Sequence, residues 1–157
     1  MTLSLDAIKA EQTRLAEKIA AFEAQLREPR TVWIRDACII LNPGEEYAGP
    51  ILGKNGARDH YLILLPGELE KADWKEAMEW AVKQGGEYIA GLPTRREQAL
   101  LYANLKEHFK EAWYWSGEQH ASISDIAWGQ NFFNGNQISY GKSSQGRARA
   151  VRRLSVL

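Results

Sequence analysis

The sequence predicts an α+β fold of mixed, mostly antiparallel short strands with two helices among them, preceded by an N-terminal helix of coiled-coil type. Three features carry that prediction. Apolar residues at heptad spacing fill positions 5–26, strand-like runs bounded by turn residues lie at both ends of the remainder, and two capped helical patterns sit between those runs. The change of pattern places a helical stalk at 1–28 and a globular domain at 31–157.

The stalk rests on Leu5, Ile8, Gln12, Leu15, Ile19, Phe22 and Leu26, spaced alternately by three and four residues. That is the a/d rhythm of a coiled coil over about three heptads. With Leu5 at a, Gln12 is the one polar a residue, a substitution that costs stability while setting register. Lys18 at g can then reach Glu23 at e of a neighbouring chain. Two readings fit the pattern: self-association through residues 5–26, and an amphipathic helix lying on its own domain. Glu28-Pro29-Arg30 ends the helix, because the residue before proline avoids the helical region.

From Thr31 the residues become strand-like. Thr31–Ile34 and Cys38–Leu41 read as two strands, closed by the turn Asn42-Pro43-Gly44. Tyr47–Leu52 and His60–Leu65 read as a hairpin about Lys54-Asn55-Gly56. A helix follows, with Asp73 as N-cap, a stripe of Trp74, Ala77, Met78 and Ala81, and Gly85-Gly86 at its C-terminus. Thr94 and Glu97 have capping-box spacing and open a second helix that runs to about Phe109, burying Leu101, Leu105 and Phe109. Its Arg95-Arg96 pair reads as a solvated first turn. Ala112–Ser116 is a strand, Ile126–Phe133 and Asn136–Tyr140 form a hairpin about the two-residue turn Asn134-Gly135, and Arg147–Leu154 is the last strand.

Composition excludes several functions. Lys+Arg and Asp+Glu both number 20, giving no net charge, so general nucleic-acid binding lacks its usual basic excess. The single cysteine, Cys38, forbids an intrachain disulfide; lying in an apolar strand, it reads as a buried, inert thiol. His60, His108 and His120 fit no zinc-ligand spacing, and no metal or cofactor is expected. No run approaches the roughly 18 apolar residues of a membrane span, so no membrane insertion is expected, and without a signal-like start the chain is expected in the cytoplasm when synthesised. Six Trp, six Tyr and four Phe make either an aromatic core or an aromatic binding surface.

Between Ser116 and Gly146 only Glu118, Asp125 and Lys142 are charged, where average usage would give about eight charges. Six serines, seven Asn and Gln residues and the aromatics Trp128, Phe132, Phe133 and Tyr140 replace them. Rigid aromatic area among short adaptable polar residues is the composition of binding loops. An ordinary polar hairpin with core aromatics has the same composition.

Leu92-Pro93-Thr94-x-x-Glu97, Trp113-Tyr114-Trp115-Ser116, Ala127-Trp128 with Asn131-Phe132 and Asn134-Gly135-Asn136, and Ala148-Arg149-Ala150-Val151-Arg152 occur in that order. This succession resembles the signature of the Lcl C-terminal domain family, a C-type-lectin-like fold common in phage and prophage proteins. The resemblance spans about residues 45–157 and leaves out the stalk. It implies that Trp113–Trp115, Trp128, Phe132 and Val151 are framework and that the loops between them bind. Some relatives are variable proteins of diversity-generating retroelements; matched motif by motif, the exposed binding candidates are Glu118, His120, Ser122, Ile123, Asp125, Gln130, Phe133, Asn136, Gln137, Ser139, Tyr140 and Lys142.

The resemblance therefore implies a non-enzymatic recognition protein, a phage receptor-binding or tail-associated component of a virion, meeting a protein or glycan on a cell surface or particle. The same residues also suit a structural or assembly module of a phage particle with no receptor role. The Glu-Pro-Asn, Gln-Pro-Asp and Trp-Asn-Asp motifs of calcium-dependent lectins are missing, which argues against a calcium sugar site. His120, Ser122, Ser124 and Asp125 offer the residue types of a triad but no motif for an oxyanion hole, so no catalysis is expected.

Overall fold

The computed structural model describes residues 4–34 and 37–156. The first three residues of the expected stalk lie outside them. The chain is α+β and divides into two compact units, Met1–Pro43 and Gly44–Leu157.

In the first unit α1 spans Leu5–Leu26, and the Ser4 side chain caps it by accepting from the Ala7 N–H. No residue of α1 is buried, and the six apolar seam residues are all between 44 and 65 % exposed. β1 (Arg30–Ile34) pairs antiparallel with β2 (Ala37–Leu41), with Trp33 opposite Cys38. Both predicted strands are present. Alternation along β2 buries Ile39 and Leu41 and turns Cys38 and Ile40 outward. Cys38 is therefore exposed, contrary to the expectation of a buried thiol: in a strand with one covered face, being apolar does not decide which face a residue takes.

The second unit contains two sheets. β3 (Glu46–Ile51), β4 (His60–Leu64), β11 (Val151–Ser155) and β6 (Ala90–Gly91) form one, in that order. The other runs β5 (Leu69–Ala72), β10 (Gly146–Ala148), β7 (Trp113–Gln119), β8 (Ile126–Asn131) and β9 (Gln137–Gly141). All pairs are antiparallel except β10 with β7. The short strands β5 and β6 carry no sequence pattern of their own. The expected single strand 147–154 is divided between the sheets at Arg149-Ala150, where the guanidinium of Arg149 donates to the carbonyls of His108 (2.6 Å) and Leu65 (3.0 Å). The Ala150 carbonyl at the crossing accepts from the Leu65 N–H (2.9 Å), so the bend keeps a backbone partner beside the Arg149 clamp.

Helices α2 (Trp74–Lys83) and α3 (Arg95–Leu105) start where capping chemistry predicts, and both capping boxes, Asp73 with Glu76 and Thr94 with Glu97, are complete. α3 stops short of Phe109. It tightens into a 3₁₀ turn at Lys106–His108, which frees Phe109 to stack on Phe132 with ring centroids 3.8 Å apart.

β7 separates two cores. Trp115 packs with Ala127, Ala148 and the α2 alanines Ala77 and Ala81, while its neighbour Tyr114 faces Leu101, Leu105 and Phe132 beside α3. Successive strand residues point to opposite faces, so one Trp-Tyr-Trp run serves both. The β8–β9 connection is longer than the expected two residues. Asn131 N–H donates to the Asn136 carbonyl, the side chains of Asn131 and Asn134 accept from the N–H groups of Phe133 and Asn136, and Phe132 drops into the core inside this loop.

Candidate functional site

The α3 side of the β8–β9 hairpin carries the most organised polar surface. Register pairs Trp128 with Ser139 and Gln130 with Gln137, so these four side chains share one face of the sheet. The capping box sets Arg95 at the first helical position beside that face. Its guanidinium carbon lies 3.7 Å from the centre of the Trp128 ring, a cation–π contact. Its Nε donates to Gln137 Oε1 (3.0 Å), while Gln137 Nε2 donates to the Arg95 carbonyl (2.7 Å) and to Gln130 Oε1 (2.8 Å). Glu118 Oε2 accepts from the Arg95 N–H (3.2 Å), covering a helix amide that has no partner within α3. His120 stacks on Trp128 with centroids 5.7 Å apart. Arg95, Arg96, Glu118, Gln130 and Gln137 line a concavity of about 560 Å³ here.

Twelve candidates came from the resemblance, and the fold distributes them over more than one surface. Glu118, His120, Gln130, Gln137 and Ser139 gather on or beside the α3 face. Gln130, expected to be exposed, is only 1 % so, because Gln137 and the start of α3 cover it. Tyr140 lies on the opposite face, edge-on to Trp113 at 4.8 Å, where the two aromatics with Ser144 and Gln145 line a second hollow of about 340 Å³. Lys142 donates to Gln119 Oε1 (2.6 Å) and sits over the Trp74 ring. Ile123 and Phe133 are exposed at separate loops, and Ser122, Asp125 and Asn136 are exposed as well. A strand period of two splits neighbouring candidates to opposite sides; loop composition does not contain that information.

Arg95 and Trp128 were missed as site residues. The arginine read as solvated and the tryptophan as framework, yet Trp128 is only half-buried and is the platform on which both Arg95 and His120 rest. The discoverable signal was the alternation Trp128–Gln130, read together with the capping box that positions Arg95.

His120 Nδ1 accepts from the Ser122 N–H (3.3 Å), and Ser122 Oγ lies 3.4 Å from the same nitrogen. Asp125 makes no hydrogen bond to this ring among the described residues, so no relay of triad form is assembled. Among the described residues no three His, Cys, Asp or Glu side chains gather as a metal site, and no helix is long and apolar enough to cross a membrane.

The strongest charge interactions serve the framework. Glu45 and Arg152 form a buried two-point pair, with both contacts at 2.8 Å. Glu97 accepts from Arg153 and contacts His60 at 2.7 Å. Burial alone would raise the Glu97 carboxyl, but hydrogen bonds and charge from Arg153, the Thr94 amide and His60 hold it below the usual range. Tyr114 is pushed up to about 12, chiefly by burial. No family model and no curated protein matches the chain.

Proposed function

We propose that this chain is a non-enzymatic recognition protein of C-type-lectin-like fold, a phage or prophage receptor-binding or tail-associated component. In this reading residues 5–26 associate as a coiled coil, and the head presents its β8–β9 region to a protein or glycan on a cell surface or particle. The observation that carries it is the combination, on one hairpin, of exposed apolar groups with a pre-ordered polar hollow. Phe133, Ile138 and Tyr140 are 59, 42 and 42 % exposed, with Ile138 and Tyr140 on the face of the hairpin opposite the Arg95–Trp128–Gln137 cluster. Apolar area held on a rigid sheet costs little ordering entropy on binding. The uncovered seam of α1 supports association, which would turn weak single-site contacts into avidity.

The test is binding of labelled full-length chain to cells and envelope fractions of the producing organism's prey or host. Replacing Phe133 and Tyr140 together by alanine is expected to lower binding at least about tenfold, the worth of a modest hot spot. Unchanged binding by that double variant overturns the surface assignment.

A further inference from the structure

β9 is an edge strand, ending the five-stranded sheet beyond β8. Asn131 N–H to Asn136 O and Lys142 N–H to Asp125 O, both 2.8 Å, lie at the two ends of its pairing with β8. Both fall in the same uninterrupted register, so Ile138 and Tyr140, together with the Asn136 carbonyl and the Lys142 N–H, direct their backbone groups at β8. Gln137 and Ser139 consequently direct their N–H and C=O groups to the open side. This is the two-residue repeat that an added strand requires. The strand reads Gln-Ile-Ser-Tyr-Gly, without the charge or proline that usually blunts an edge.

Beside that edge stands an arginine whose end groups are free. Arg95 uses its Nε on Gln137 and its ring-like plane on Trp128, and among the described residues its two terminal NH₂ groups have no partner. Glu118 shares the concavity but forms no ion pair with it, Oε2 being given to the Arg95 amide. With Arg96 held at the Leu52 carbonyl by two 3.1 Å bonds, the hollow carries one net positive charge. A planar fork, fixed in place before binding, matches a carboxylate.

We infer that β9 receives an extended segment of a protein partner as an added strand, and that an acidic side chain of that segment docks on Arg95. This rests on the recognition reading above and names its partner chemistry: an acidic, extended peptide. The edge supplies backbone hydrogen bonds and Arg95 selects the sequence.

The probe is a capped heptapeptide of alternating threonine and valine with a central glutamate, titrated into full-length, ¹⁵N-labelled protein. Shifts are expected at the Gln137 and Ser139 amides and at Arg95 Nε. A central glutamine, or Arg95→Lys in the protein, should weaken binding about tenfold, the value of one hydrogen bond to a charged group. Ser139→Pro removes an outward N–H without touching the β8 ladder and should abolish binding while leaving the remaining β8–β9 amide signals in place. Absence of shifts at Gln137 and Ser139 overturns the proposal. So does equal binding of the glutamine peptide, or a response to free glucuronate confined to Arg95, which would mark a simple anion pocket. If the peptide fails while cell binding still depends on Phe133 and Tyr140, this inference falls and the recognition reading stands; the reverse pattern overturns only the assignment of Phe133 and Tyr140 to the binding surface.

Discussion

Gly129 of β8 lies directly under the indole of Trp113: a Cβ at this glycine would sit 2.5 Å from Trp113 Cε2 and 2.6 Å from the Tyr114 carbonyl. Gly146 of β10 leaves the same ring room on its other side, where a Cβ would come within 2.6 Å of Cε3. The ring lies over its own sheet because the neighbouring strands present no side chain there. Gly129→Ala is expected to destabilise the fold by about 1–3 kcal/mol, as overpacking does. Urea unfolding measures it, and a midpoint equal to wild type would show that the ring can move aside.

Acid should act through Glu97. Its folded carboxyl is held below the unfolded value, so its stabilisation is complete above the unfolded pKa and is lost as pH falls through the folded one. Glu97→Gln should cost about 2 kcal/mol at neutral pH, since Arg153 loses a charged partner. It should also flatten the fall of stability below about pH 5. Parallel acid limbs for wild type and variant would place the acid sensitivity elsewhere.

The α1 seam predicts concentration-dependent association. Ile19→Asp puts a charge at an a position and should shift the chain to monomer in sedimentation equilibrium, with the head unaltered in thermal unfolding. A wild-type chain that is monomeric at all concentrations would dismiss the stalk.

Cys38 should react with a thiol reagent in the native state at a rate that denaturant hardly changes, given its outward position on β2. Protection released only by unfolding would contradict that exposure.

Local chemistry was legible wherever one segment decides its own structure. The Asp73 N-cap, the Thr94–Glu97 capping box, the α1 seam and the hairpin about Lys54-Asn55-Gly56 follow from neighbours within a few residues. The β8–β9 loop was misjudged because Asn134-Gly135 is a genuine turn signal overridden by Phe132, whose place in the core beside Phe109 requires a wider connection. The candidate site was legible as a region but not as a surface: Gln137 and Tyr140 are three residues apart and face opposite ways.

The sequence by itself determined the α+β class, the helix starts, the apolar seam and the charge-poor segment, since each depends on spacing and composition within a short stretch. Only the tertiary structure decided that Arg95 rests on Trp128, that Gln130 is covered and that β9 ends its sheet. Those facts depend on which strand lies beside which and on which face a helix covers. Contacts between residues 33 or more positions apart are set by the packing of whole elements, and no local pattern encodes them.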